Sequence, residues 1–353
     1  MDRNSQWYAR EPRVPSGIHY TSMTRCLLKR SQWAACIVSL VPLCSGCLHY
    51  RLNSSARPPR ALPESLAVGR AHSLSNAPAE LNWLEEASPT YRLAQVKLLA
   101  PVAAATTNKT LELEYYVPRT TSGGPVPAII ILPVSAGEHY PLERHFARYF
   151  TRRGYAAVIV HRESERDPQT GEQVNELLEQ SIFDNRFVID WLERLPELDA
   201  NRIGVLGTSM GAIKGALLAP VDSRVKASVL GLVGGDVPYI LTYSQEGGLR
   251  GGGIVGHRNA YLMKHHVRLE EFKKRLEETV TYDPLLFAPA VDPVKVLLFL
   301  GALDTIVPFK KGLELRRAMG KPETVIMFSG HYTTAFYLLY IRSAAFDFFQ
   351  SRF

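Results

Sequence analysis

The chain has 353 residues, 46% of them hydrophobic, 21% charged and 10% aromatic. That length is enough for one large domain or two small ones with a buried core, and the composition excludes a collagen-like, coiled-coil or wholly disordered protein. The formal charge of +7 would at first suit an acidic partner such as nucleic acid or a membrane surface. Its distribution removes the main support for nucleic acid. Residues 1–60 carry nine Lys and Arg against two acids, whereas residues 61–353 carry 32 of each sign. All four cysteines (Cys26, Cys36, Cys44, Cys47) lie in the first 47 residues. The globular part is therefore neutral and free of disulfides, and no nucleic-acid partner is expected.

From Met23 a short basic stretch (MTRCLLKR) leads into an apolar run of about 11 residues, 33–43 (WAACIVSLVPL), followed by Ser45, Gly46 and Cys47. Such a run is too short to span a bilayer as a helix, which takes about 20 residues, and suits a signal-peptide core. The ending resembles the bacterial lipoprotein signal, in which small residues precede a cysteine that is lipidated and becomes the first residue. The resemblance implies a signal peptide over 23–46, lipidation of Cys47, and a bacterial cell-envelope protein, periplasmic or surface facing, held to the membrane by a lipid anchor. Two or more acyl chains give stable anchoring where one is marginal. The chain departs from the pattern at Cys44, where the signal usually has Leu, and in the polar preamble 1–22, which reads as an extension ahead of a true start at Met23. An uncleaved anchor or a buried apolar helix is the alternative. Residues 47–89, rich in Arg, Ser, Pro and Ala without a sustained period, read as a flexible tether.

From about residue 90 short apolar runs alternate with helical patterns, which predicts an α/β domain over 90–353 with a mostly parallel eight-stranded sheet flanked by helices. The strands are expected at 91–99, 110–117, 127–133, 155–161, 202–206, 227–232, 294–300 and 323–328. The first two alternate and form an antiparallel start; the later Val/Ile/Leu runs suit strands buried on both faces. Helices are expected near 141–153, 173–195, 210–219, 309–319 and 334–350. The interval 233–292 is too long for an ordinary connection and reads as an insertion, or cap, after the sixth strand. It holds a glycine cluster (Gly247, Gly248, Gly251, Gly252, Gly253), which joins no strand to a helix and so suits flexibility better than phosphate binding. It also holds a helical stretch at 268–278. Tyr239, Tyr243 and Tyr261, with Leu241 and Leu262, serve either an acyl or aromatic pocket or ordinary packing.

The strand 202–206 runs into Gly207-Thr208-Ser209-Met210-Gly211 and a small-residue helix. This is G-x-S-x-G in its informative setting of strand, sharp turn and helix. A nucleophile on a strained turn needs neighbours without a Cβ two residues to either side, because strand and helix backbones come close there. The helix N-terminus also favours developing negative charge at Ser209. A serine hydroxyl needs a base, and the base an orienting acid. Asp304 follows the strand 294–300 in GALDTIVP, and His331 follows the strand 323–328 in SGHY. Asp236, after the strand 227–232, is a rival acid, and helix capping is the alternative role for Asp304.

These motifs (GTSMG, GALDTIVP, the S-G-H turn, and Tyr282-Asp283-Pro284 before the penultimate strand) resemble the α/β-hydrolase superfamily. More narrowly they resemble its dienelactone-hydrolase and prolyl-oligopeptidase-like branch, over about three quarters of the chain. The resemblance implies an α/β-hydrolase fold, Ser209 as nucleophile, His331 as general base then acid, and Asp304 as orienting acid. An oxyanion hole needs two backbone N–H donors. Met210 is one. The other comes from Pro133-Val134-Ser135-Ala136-Gly137, where the family usually begins with His-Gly; proline cannot donate, which leaves Val134 or Ser135. The implied activity is that of a serine hydrolase of esterase type on a small-molecule ester or acyl substrate. Thioesterase, acyltransferase and peptidase chemistries share the triad, and a non-catalytic envelope lipoprotein is the rival from another class. With no HExxH, Cys/His cluster, Walker or dinucleotide motif, neither metal nor cofactor is expected.

Overall fold

Both faces of the run Val126–Leu132 are apolar, so the strand it forms has two sides to bury and lies inside a sheet covered by helices. The computed structural model describes residues 49–66, 79–84, 88–102, 107–119, 124–135, 139–162, 170–247 and 253–353. In chain order the strands are β1 (His49–Leu52), β2 (Ala79–Leu84), β3 (Tyr91–Pro101), β4 (Asn108–Pro118), β5 (Val126–Leu132), β6 (Ala156–Val160), β7 (Leu198–Thr208), β8 (Val225–Gly231), β9 (Val296–Gly301) and β10 (Glu323–Met327). They form one mixed sheet in the order β1-β10-β9-β8-β7-β5-β6-β4-β3-β2. The six strands from β10 to β6 are parallel to their neighbours, and β1, β4, β3 and β2 pair antiparallel at the two flanks.

Alternation along the central strands divides the core. Ile129, Ile131, Ile159 and Phe299 face Phe146 and Phe150 of α1 (Pro141–Thr151) and Phe348 and Phe349 of α9 (Leu338–Arg352). Ala128, Ile130 and Val158 point the other way, against Phe187, Val188 and Trp191 of α2 (Gly171–Leu192). Leu230, Leu298 and Leu300 on that second side meet Leu217 of α3 (Met210–Val221) and Leu315 of α8 (Phe309–Ala318). A one-residue slip in any central strand would exchange these two sets.

Among the described residues the sheet has ten strands where eight were expected, and both additions come from the segment read as a tether. β1 pairs with β10, His49 opposite Met327, and β2 pairs with β3, Ala79 opposite Leu98. After β1, Ser55 N–H donates to Lys321 O at 3.2 Å and Arg60 N–H to Pro289 O at 2.8 Å, so residues 55–60 lie along the domain. Four- and six-residue edge strands carry too little period to read from sequence; the open sheet edge supplies their partners. The extension 1–22, the signal segment 23–46 and Cys47 lie outside the described residues.

The insertion 233–292 joins β8 to β9 and folds as α4 (Val237–Tyr243), α5 (Gly253–His265), α6 (Leu269–Thr279) and the single turn α7 (Pro284–Phe287). Phe272 and Leu276 bury one face of α6, and Asn175 of α2 donates to Thr279 O at 2.8 Å, which fastens the insertion to the body. The rings of Tyr239 and Tyr243 lie 4.6 Å apart, Tyr243 donates to Glu270, and Tyr261 packs 5.4 Å from Phe272. Of the two roles open to these tyrosines, packing is the one their contacts fit. Residues 248–252 of the glycine cluster lie outside the described residues. Among the described residues no helix is long and apolar enough to cross a membrane.

Candidate active site

β7 ends at Thr208 and α3 begins at Met210, so Ser209 alone makes the turn, with φ +55° and ψ −121°. For a residue with a Cβ that backbone is strained. The two flanking glycines explain how it is tolerated. A Cβ on Gly207 would lie 2.3 Å from the carbonyl oxygen of Gly211, and one on Gly211 would lie 2.1 Å from that of Leu132. Ser209 N–H donates to Gly231 O at 2.8 Å, and its own carbonyl accepts from Ala212 and Ile213. A serine at a helix N-cap ordinarily caps with its hydroxyl; this one makes no such bond. Its Oγ instead lies 3.0 Å from Nε2 of His331.

His331 is placed by the loop after β10. Gly330 N–H donates to Thr333 Oγ1 at 2.8 Å, the hydroxyls of Ser329 and Thr334 lie 2.7 Å apart, and Leu303 N–H donates to Ser329 O at 2.9 Å. Nδ1 of His331 lies 2.8 Å from Oδ2 of Asp304. The other oxygen of Asp304 accepts the amides of Ile306 (2.9 Å) and Val307 (3.1 Å), and the side chain is only 2% exposed. The carboxylate therefore caps its own loop and also holds the imidazole. An Nδ1–H donated to Asp304 leaves Nε2 as the acceptor facing Ser209.

Asp236 is not brought to His331. It sits in the left-handed region (φ +61°), accepts from Tyr239 N–H at 3.1 Å, and pairs with Nζ of Lys311 at 2.7 Å. Asp283 explains the Tyr-Asp-Pro segment: its carboxylate accepts the amides of Asp236 (3.0 Å), Val237 (2.5 Å) and Leu285 (2.7 Å). Burial pushes its carboxyl above the usual range, against the three amides, which favour the charged form.

The two amides proposed after β5 are not equivalent. Val134 N–H donates to the buried carboxylate of Glu143 at 3.0 Å, in the first turn of α1, and so is already committed. Ser135 remains. Its carbonyl accepts from Arg162 at 2.5 Å, and Arg162 N–H donates in turn to Tyr140 Oη at 3.0 Å, which fixes the loop from the far side. The Leu132–Pro133 backbone lies against Gly211, so the residues that follow start beside the Ser209 turn. Met210 N–H, the first amide of α3, has no carbonyl in its own helix to bond.

Two supports carry no motif. Glu114 of β4 accepts from Tyr116 Oη (2.7 Å), Arg144 and His161, and the His161 ring stacks on Tyr140 with centroids 4.6 Å apart. Burial raises the Glu114 carboxyl, but the bonds from His161, Arg144 and Tyr116 outweigh it and hold the group at about 2. On the other side, residues 244–247 of the insertion cross the site loops. Gln245 N–H donates to Thr305 O at 3.1 Å, and Tyr332 Oη donates to Glu246 Oε2 at 2.5 Å. Burial and then Glu246 push the Tyr332 phenol up to about 12. Only Glu143 left a readable signal, an acid two residues after the Pro at a helix start. Among the described residues no group of three or more His, Cys, Asp or Glu could hold a metal ion.

The sequence matches no protein-family model and no curated protein. Solved structures do resemble it. An acetyl xylan esterase from Paenibacillus sp. R4 superposes with a TM-score of 0.60 at 15% identity, covering 84% of this chain and 97% of that one. Acetyl xylan esterase 1 from Thermoanaerobacterium sp. JW/SL YS485 gives 0.56 at 15% identity, covering 82% and 96%. A cold-adapted esterase from an Arctic intertidal metagenomic library gives 0.52 at 17% identity, covering 77% and 99%. At such identities the likeness is one of fold, and with the strand order and helical layers described above it makes this chain an α/β-hydrolase fold.

Proposed function

We propose that the chain is a serine hydrolase of esterase type, near the dienelactone-hydrolase and prolyl-oligopeptidase-like branch. The observation that carries this is the relay from Ser209 Oγ through His331 to Asp304, at 3.0 and 2.8 Å. Ser209 attacks the ester carbonyl while Nε2 of His331 takes the hydroxyl proton, and Asp304 stabilises the imidazolium that results. The tetrahedral oxyanion is met by the amides of Met210 and Ser135; a single such donor is worth about 3–4 kcal/mol. His331 returns its proton to the departing alcohol, leaving an acyl group on Ser209. Water, deprotonated by the same imidazole, then releases the carboxylic acid.

Two of the similar structures are named acetyl xylan esterases, which puts short acyl esters of sugars first among substrates to try. The test is labelling by a fluorophosphonate probe, with Ser209→Ala alongside, and then a panel of p-nitrophenyl esters, acetylated xylan and acyl-CoA. Labelling that depends on Ser209, with turnover of short esters, is expected. No Ser209-dependent labelling would overturn the enzyme reading in favour of a binding protein, and faster turnover of acyl-CoA would move the chemistry to thioesters.

The lipoprotein reading also stands as a proposal: residues 23–46 a signal, Cys47 the acylated first residue, and the protein held in the bacterial envelope. Metabolic lipid labelling of the membrane fraction tests it, and a mature protein that retains residues 1–46 would overturn it.

A further inference from the structure

β1 enters the sheet antiparallel to β10, with His49 opposite Met327. His49 therefore lies at the end of the sheet where β10 hands over to Ser329, Gly330 and His331. Cys47 precedes His49 by two residues, a reach of at most about 7 Å of extended chain. A tether of some forty residues would let the domain stand away from a bilayer. An anchor two residues from a paired strand would hold it close, and by one edge.

Among the described residues, that same edge carries large exposed apolar side chains. Leu303 is 54% exposed, Phe328 62%, Tyr332 68%, Phe336 86% and Leu339 64%. They belong to one region of the fold. The Leu303 amide is bonded to Ser329, which places the loop after β9 beside the loop after β10. The ring of His49 lies 4.2 Å from that of Tyr340, which ties the first turn of α9 to β1. Leu303 and Tyr332 are the immediate neighbours of Asp304 and His331 in the chain. A concentration of exposed apolar residues of this kind marks an interaction surface, and Tyr332 presents the amphipathic ring that suits a boundary between water and lipid.

We propose that this edge is a membrane-docking surface, on which Phe328, Phe336 and Leu339 enter the lipid–water interface and the mouth of the Ser209–His331 site faces the bilayer. The proposal rests on the lipid-anchor reading for its choice of partner. The short reach from Cys47 to β1 selects a bilayer over a soluble protein, because a lipid on Cys47 would bring the membrane to the face that is already apolar.

The test is a contact map. The full chain is reconstituted in vesicles of phosphatidylethanolamine and phosphatidylglycerol doped with a phospholipid carrying a diazirine in its acyl chain, irradiated, digested and read by mass spectrometry. Peptides covering 328–339 are expected to carry at least about tenfold more lipid adduct than the β2 edge, 79–84. The double variant Phe336→Asp/Leu339→Asp is expected to lose those adducts while hydrolysing soluble p-nitrophenyl acetate as wild type does. Adducts absent from 328–339, equal adducts at the two edges, or adducts unchanged in the folded double variant would each overturn the docking surface. So would cross-links at 328–339 to a second copy of the chain or to its own first 46 residues. The mass of the Cys47 peptide in the same digest judges the anchor separately. Adducts at 328–339 with an unmodified Cys47 would remove the anchor and leave the docking surface standing.

Discussion

Asp304 divides its two carboxylate oxygens between two tasks, Oδ2 holding Nδ1 of His331 at 2.8 Å and Oδ1 capping the amides of Ile306 and Val307. An Asn in its place can still cap the loop through its oxygen, but its NH2 cannot accept the Nδ1–H. Asp304→Asn is therefore expected to fold with little loss of stability while kcat on a soluble ester falls by about 10⁴-fold. Asp236→Asn gives the converse. It breaks the pair with Lys311, lowers the melting temperature, and leaves kcat/KM within about threefold of wild type. Steady-state kinetics and thermal melts of the two variants separate these outcomes; equal kinetic losses would mean that Asp304 has no special place.

Ser209 holds its strained backbone (φ +55°, ψ −121°) because Gly207 and Gly211 make the turn possible. Removing the side chain altogether relieves that strain. Ser209→Gly is expected to be about 1 kcal/mol more stable than wild type, and Ser209→Ala close to it, whereas both lose about 10⁵-fold or more in kcat. Denaturant midpoints show the stability gain, and probe labelling shows the loss. Gly211→Ala is the opposite case, since a Cβ would lie 2.1 Å from Leu132 O. It is expected to lower stability by about 2–4 kcal/mol and to abolish labelling.

Glu143 holds the Val134 amide, and through it the turn that presents Ser135. Glu143→Ala removes the acceptor of that part-buried amide, a hydrogen bond to a charged group worth about 1.5–3 kcal/mol, and frees the loop. The expected kinetic result is a fall in kcat of about tenfold or more with KM little changed, because the oxyanion donor acts in the transition state. Glu143→Gln keeps an acceptor oxygen and is expected to recover most of the rate. Equal activity in all three proteins would remove Ser135 from the oxyanion hole.

Glu114 makes the acid limb of stability predictable. Its folded value is lowered from the ordinary 4.5 to about 2, so the folded state keeps its charge while the unfolded chain takes up a proton. The stabilisation is fully present above about pH 5 and is lost as the pH falls from there through about 2. Glu114→Gln is expected to be less stable than wild type at pH 7, with the gap closing as the pH approaches 2. Urea midpoints at pH 7, 4, 3 and 2 measure it, and a gap that stays constant would mean the charge contributes nothing.

The sequence by itself determined the α/β layering and the order of the site. Continuous apolar runs such as 127–133 have to be buried on both faces, and G-x-S-x-G between a strand and a small-residue helix follows from local sterics that act within a few residues. It also placed Asp304 and His331 at the ends of strands. What it left open was decided by contacts between segments far apart in the chain. Asp304 stands beside His331, whereas Asp236 is paired with Lys311, on α8. The Val134 amide is taken by Glu143, nine residues on. The two edge strands in 47–89 exist because β10 and β3 each present an unpaired edge, and the strap from Gln245 and Glu246 to Thr305 and Tyr332 joins loops with no shared pattern. Periodicity and turn chemistry are local and can be read along a chain; the choice among rival partners depends on which side chain the fold brings nearest, and only the tertiary structure decides that.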